Sequence, residues 1–164
     1  MNITLIGMAG AGKSYIGKIL ADRLGLELLD IDRVMEKEEG KPLQDILDSL
    51  GDDAFITAET DAVRRMTGGK DGLLISPGGS IVYSDLAMQY LRDISKVVHL
   101  DVPFETIHSR IQDIPRGIVR LKGRSPRDVH DERLPLYRRY AHFSVDAGKD
   151  AEDVAAEIAQ RVMV

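Results

Sequence analysis

The chain has 164 residues, 43% apolar and 30% charged, with a formal net charge of −5 and no cysteine. That balance suits one domain with a substantial core and argues against a general nucleic-acid binder. It also excludes a disulfide framework, a thiolate metal site, a thiol nucleophile and any apolar run near the ~20 residues of a membrane helix. In chain order, residues 2–6 (Asn2-Ile3-Thr4-Leu5-Ile6) read as a short buried strand at the very start. No basic stretch precedes it, so no signal peptide is expected and the expected location is cytoplasmic.

Gly7-Met8-Ala9-Gly10-Ala11-Gly12-Lys13-Ser14 follows at once and fits G-x-x-x-x-G-K-[ST], a phosphate-binding loop (P-loop). The motif stands between a strand and a helix, the context it requires. Glycines let the backbone close around phosphate oxygens. The helix N-terminus adds free N–H groups and a favourable dipole. Lys13 can reach the β- and γ-phosphates and Ser14 can ligate Mg²⁺. Gly10, Ala11, Gly12, Lys13, Ser14 and Tyr15 are therefore the expected nucleotide contacts.

Residues 13–24 put Ile16, Ile19, Leu20 and Leu24 on one helical face, and Gly25 stops the helix. Residues 26–30 predict a second strand, with Asp30-Ile31-Asp32 at its carboxyl end. Helices are expected over 33–39, 43–50 and 52–67, the last carrying Phe55, Ala62, Val63 and Met66 inward. Residues 73–76 predict a third strand, followed by Pro77-Gly78-Gly79-Ser80. A helix over 85–93, a strand over 96–102 and a helix opened by Pro103 come next. Residues 112–127 are polar, basic and poorly periodic, the pattern of a lid or binding loop. A helix over 128–142, a strand over 143–146 and a helix over 150–163 complete the chain. The expected fold is α/β: a three-layer, doubly wound sheet of five parallel strands with a P-loop and a lid. It is read as a single domain over 1–164, with strand order left open. Ligands in such sheets bind beyond the carboxyl ends of the strands.

Two features add chemistry. Asp30 and Asp32 can hold Mg²⁺ through water, or orient an acceptor hydroxyl and take its proton; Asp32 is also suited to capping the next helix. Residues 110–139 hold nine Arg or Lys and four acids, a local charge of +5 against −10 for the remainder. A basic segment in an acidic chain points to an anionic ligand.

With these residues in place the chain resembles the shikimate kinase family over nearly its whole length. The resemblance rests on the Gly-x-x-x-x-Gly-Lys-Ser loop, Asp30-x-Asp32, Glu59, Gly78-Gly79 and Arg133-x-Pro135-x-Tyr137. It implies a nucleoside-monophosphate-kinase-like fold that moves the γ-phosphoryl of ATP to a hydroxyl of shikimate, with Mg²⁺. By resemblance, Ser14 and Asp30 are the metal-associated residues and Asp32 contacts the acceptor hydroxyls. Gly78 and Gly79 offer backbone contacts to the acceptor, and Arg133 binds its carboxylate. Arg110 is similar to a nucleotide-side arginine, and Arg116 to the lid arginine that closes over the phosphates. Lys13, Asp32 and Arg116 are then the expected catalytic residues.

Two departures fall on the acceptor side. The family's second carboxylate-binding arginine, three residues before the helical Glu, is here Ile56, and Pro77 replaces the first residue of a three-glycine run. The first change removes a charge and a bidentate fork, the second a backbone donor. Arg64 and Arg65, about two turns on, are the candidates to replace the missing arginine, with helical direction counting against them. The expected activity is ATP-dependent phosphorylation of shikimate or a related small hydroxy compound. The alternatives are a hydroxy amino acid or polyol acceptor, or a nucleotide-binding module without transfer. A monomer is expected, with a small hydroxyl acceptor as partner and no nucleic acid or membrane.

Overall fold

The computed structural model describes residues 1–111 and 118–163. In chain order the elements are β1 (Ile3–Ile6), α1 (Lys13–Leu24), β2 (Glu27–Asp30), α2 (Ile31–Glu39), α3 (Leu43–Leu50) and α4 (Asp52–Thr67). There follow β3 (Leu73–Ser76), a 3₁₀ turn over Gly79–Tyr83, α5 (Asp85–Ile94), β4 (Lys96–Asp101) and α6 (Phe104–Ile111). The chain closes with α7 (Pro126–Tyr140), β5 (Phe143–Asp146) and α8 (Ala151–Val162). No helix among the described residues is long and apolar enough to cross a membrane.

The five strands form one parallel sheet in the order β2-β3-β1-β4-β5. Every residue of β1 is buried, as a central strand covered on both faces requires. Edge strand β2 exposes Glu27 and Leu28. β1 lies between β3 and β4, so the loop after it opens where the connections diverge to opposite sides. Asp30 is level with Ser76 across β2 and β3, which brings the start of α2 beside Pro77-Gly78-Gly79.

Helices pack on both faces of the sheet. One buried cluster draws on α2 to α5, including Ile31, Ile46, Phe55, Ile56, Val63 and Leu91. The other draws on α1, α6 and α8, including Ile16, Leu20, Ile107, Val154 and Ile158. Gly17 allows α1 to lie close to the sheet, since a Cβ there would stand 3.1 Å from Leu74 Cδ2.

Three local features differ from the sequence expectation. Helix α2 begins at Ile31 rather than 33, because Asp30 Oδ1 accepts from Arg33 N at 3.3 Å and caps it. Asp32 is therefore in the first turn and is not the cap. Helix α7 runs over 126–140 rather than 128–142, because Ser125 and Asp128 form a reciprocal capping box with Pro126 in the first turn. The 3₁₀ turn after Gly78 was not expected at all, and it directs Tyr83 toward α7.

Candidate active site

Local backbone chemistry shapes the phosphate loop first. Gly10 and Gly12 have φ of +88° and +92°, a left-handed conformation that side chains resist. A Cβ at Gly10 would meet Ile111 Cγ2 at 2.9 Å. The loop wraps the start of α1, and Lys13 Nζ folds across it to Gly7 O at 2.6 Å and Met8 O at 3.1 Å. Arg110 approaches from α6, its Nη1 donating to Gly10 O at 2.8 Å, with the side chain exposed. Ser14 Oγ donates to Asp30 Oδ2 at 3.4 Å. This hydroxyl and carboxylate are hard oxygen donors of the type Mg²⁺ takes. A glycine cradle with a lysine at its mouth likewise fits a polyphosphate. Tyr15 is 68% exposed and brings only its main chain to the loop.

Beside the loop, side chains from three helices and the backbone carbonyl of Gly7 converge on Gly78 and Gly79. A Cβ at Gly78 would lie 2.2 Å from Glu59 Oε2 and 2.8 Å from Asp32 Oδ1. A Cβ at Gly79 would lie 2.9 Å from Arg133 Nη1, 3.1 Å from Gly7 O and 3.2 Å from the Tyr137 hydroxyl. At the two glycines α2, α4, α7 and the start of the phosphate loop come together. Any larger residue would push them apart.

Glu59 lies wholly inside, on the apolar face of α4, and its Oε1 accepts from Ser80 Oγ at 2.9 Å. Burial, joined by the nearby Asp32 charge, pushes its carboxyl from 4.5 up to about 8, against the pull of Ser80, the Gly78 backbone and Arg133. The folded chain therefore holds a proton there at neutral pH that the unfolded chain releases. Its contribution to stability is full below pH 4.5 and is lost as the pH rises toward about 8. Glu59→Gln keeps an acceptor for Ser80 and removes the titration. Its melting temperature is expected to vary less between those limits than that of the unaltered chain, measured by scanning calorimetry. Equal slopes would mean that Glu59 is ionised in the folded state.

Arg133 is 2% exposed on α7. Its Nη2 donates to Val119 O at 2.9 Å, its Nε to the Tyr83 hydroxyl at 3.3 Å, and its Nη1 faces Met8 Sδ at 3.7 Å. Its hydrogen-bond acceptors are thus neutral, and a buried guanidinium in such surroundings is poised for an anion. One turn on, Tyr137 donates to Gly79 O at 2.7 Å and stacks on His99. Burial raises the Tyr137 hydroxyl and lowers His99 to about 4, so the first keeps its proton and the second is neutral.

The structure therefore brings together Gly10, Ala11, Gly12, Lys13, Ser14, Asp30 and Arg110 around the phosphate loop, and Asp32, Gly78, Gly79 and Arg133 at the turn after β3. Arg116 and the lid residues 112–117 lie outside the described residues. Arg65 pairs with Glu38 and Arg64 lies over Tyr90, so neither reaches the place of Ile56. Sequence reasoning named Glu59 and Tyr137 only as marks of resemblance and missed Ser80, Tyr83 and the Val119 carbonyl. Two signals were available: an acid on the buried stripe Phe55-Glu59-Ala62-Val63, and a tyrosine four residues after Arg133 on one helical face.

The family profile described as shikimate kinase matches residues 9–163. The shikimate kinase of Persephonella marina is 32% identical over 162 residues, covering 98% of each chain. That of Moorella thermoacetica is 37% identical, covering 96% of this chain and 91% of its own. Among solved structures, shikimate kinase from Acinetobacter baumannii in complex with shikimate superposes with a TM-score of 0.88 at 30% identity, covering 99% of this chain and 92% of that one.

Proposed function

The chain belongs to the shikimate kinase family, and from that premise we propose that the cluster around Gly78 and Gly79 receives shikimate while the loop at Gly7–Ser14 presents ATP. Phosphotransfer to a hydroxyl acceptor, with ATP and Mg²⁺, follows from the membership. The residue roles are our reading. It is carried by one observation: a buried arginine, a buried carboxylate and a half-buried one meet the start of the phosphate loop at two glycines.

Shikimate presents a carboxylate at one end and hydroxyls at the other. Arg133 takes the carboxylate, which supplies the anion its surroundings lack. The Gly78-Gly79 backbone lets the ring approach without obstruction. Asp32 accepts a hydrogen bond from the reacting hydroxyl and takes its proton as the new P–O bond forms and the bond to ADP breaks. Glu59, protonated, donates to a second hydroxyl. Lys13 and Arg110 offset charge on the donor side. Ser14 and Asp30 would hold Mg²⁺, which screens the phosphates. The chain is read as one P-loop kinase domain, since all five strands belong to one sheet, and as a cytoplasmic monomer.

The test is ATP consumption across a panel of shikimate, other hydroxy acids, hydroxy amino acids and polyols. Shikimate is expected to raise turnover above all others. A polyol or hydroxy amino acid doing so would instead identify Ile56 as the mark of a different acceptor. Ile56 is 8% exposed within the α2–α5 cluster. Ile56→Arg is expected to lower shikimate KM and also lower the melting temperature, because a cation replaces packed apolar volume. An unchanged KM would remove position 56 from the carboxylate site.

A further inference from the structure

We propose that Arg120 is a second cation for the acceptor's carboxylate, acting beside Arg133 from the end of the lid. The inference rests on the shikimate reading above and names a residue that fixes acceptor specificity.

Arg120 and Arg133 share one aromatic platform. The Arg120 guanidinium lies 4.4 Å from the centroid of the Tyr83 ring, and that of Arg133 lies 5.3 Å from it. The chain ties the two together once more, since Val119, the residue before Arg120, gives its carbonyl to Arg133 Nη2. Two cations on one ring call for an anion. Glu132, the acid at this place, is engaged by the Tyr83 hydroxyl at 3.0 Å and by Arg124 at 2.6 Å, and it acts on Arg120 through its charge, with no hydrogen bond to the Nε of Arg120. Among the described residues, nothing accepts a hydrogen bond from the buried Nε of Arg120. The ring holds the guanidinium by its face and leaves its edge available for a carboxylate.

The backbone adds an independent sign. Arg120 has φ of +66°, the one left-handed non-glycine among the described residues. A long side chain is kept where glycine would be less strained, as expected where the side chain has a task. The position also answers the loss of an arginine at 56. A cation delivered from the lid end replaces one delivered from α4.

The left-handed backbone makes the test clean. Arg120→Gly removes the guanidinium without strain, so its melting temperature is expected to stay level. Its KM for shikimate is expected to rise about tenfold to 100-fold, kcat to change far less, and KM for ATP not to move. With the methyl ester of shikimate, which has no anion, the difference between variant and unaltered chain is expected to vanish. Arg120→Lys should recover part of the loss. A shikimate KM that does not move, or a shift equally large with the ester, overturns the assignment to the carboxylate. A fall in melting temperature with turnover lowered alike on both acceptors shows a structural role and overturns it too. If the unaltered chain does not phosphorylate shikimate at all, the acceptor reading itself fails and takes this one with it.

Discussion

Lys13→Ala is expected to lower kcat about 100-fold to 1,000-fold, the scale of losing one preorganised charge-stabilising group at a reacting centre. In the free chain Lys13 Nζ spans the loop to Gly7 O and Met8 O. These contacts hold the ammonium across the phosphate loop before any nucleotide arrives. Phosphoryl transfer depends mainly on positioning and on offsetting charge spread over the transferring group. The loss should therefore appear in turnover more than in folding. The glycine conformations that shape the loop do not depend on the lysine side chain, and a modest change in melting temperature is expected. Single-turnover transfer from labelled ATP, with a thermal melt on the same sample, separates the two effects. A loss under tenfold in turnover would mean that Lys13 does not face the transferring group.

Asp32→Asn is the second large effect, a fall of about 100-fold or more in kcat with ATP binding retained. Asparagine keeps the shape of Asp32 but cannot take the acceptor's proton. Asp32 Oδ1 lies beside Gly78, so the direct nucleotide contacts of the phosphate-loop backbone are expected to remain. The change has a second signature. The Asp32 charge is one of the causes that hold the Glu59 proton in place. Removing it lets Glu59 ionise at lower pH in the folded chain, so the fall in stability with rising pH should level off at a lower pH and be smaller in the variant. ATP titration, the kcat–pH profile and the stability–pH profile together test the role. An ATP affinity that drops as steeply as turnover would place Asp32 with the donor instead.

Much of the fold was legible because its signals are local. A short buried strand, a glycine-rich loop and an amphipathic helix followed in the first 24 residues, and the structure places them there. The strand order was not legible, because which parallel strands pair is decided by crossovers rather than by any one segment. Helix starts were missed by two residues where a cap, not periodicity, sets the boundary: Asp30 for α2 and Ser125 with Asp128 for α7. On the proposed donor side a contiguous motif carried the reading, whereas the proposed acceptor side has no such motif. The acceptor side is assembled from α2, α4, the 3₁₀ turn and α7. Tyr83 and Arg120, 37 positions apart in sequence, meet only after folding. No spacing rule announces such a pair.

The two buried clusters give the molecule an uneven capacity for change. The helices behind the acceptor, α2 to α5, draw their stability from one cluster, and those around the nucleotide, α1, α6 and α8, from the other. Effects of substitutions without shared neighbours add nearly independently. Ile56 belongs to the first cluster. Drift there is therefore met by that cluster's own stability margin and leaves the ATP machinery intact. Helix α7 is the exception, because Val129 packs into one cluster and Tyr137 and Tyr140 into the other. Substitutions among α2 to α5 are thus expected to leave the packing of α1, α6 and α8 largely undisturbed, and α7 is where a change is felt by both clusters.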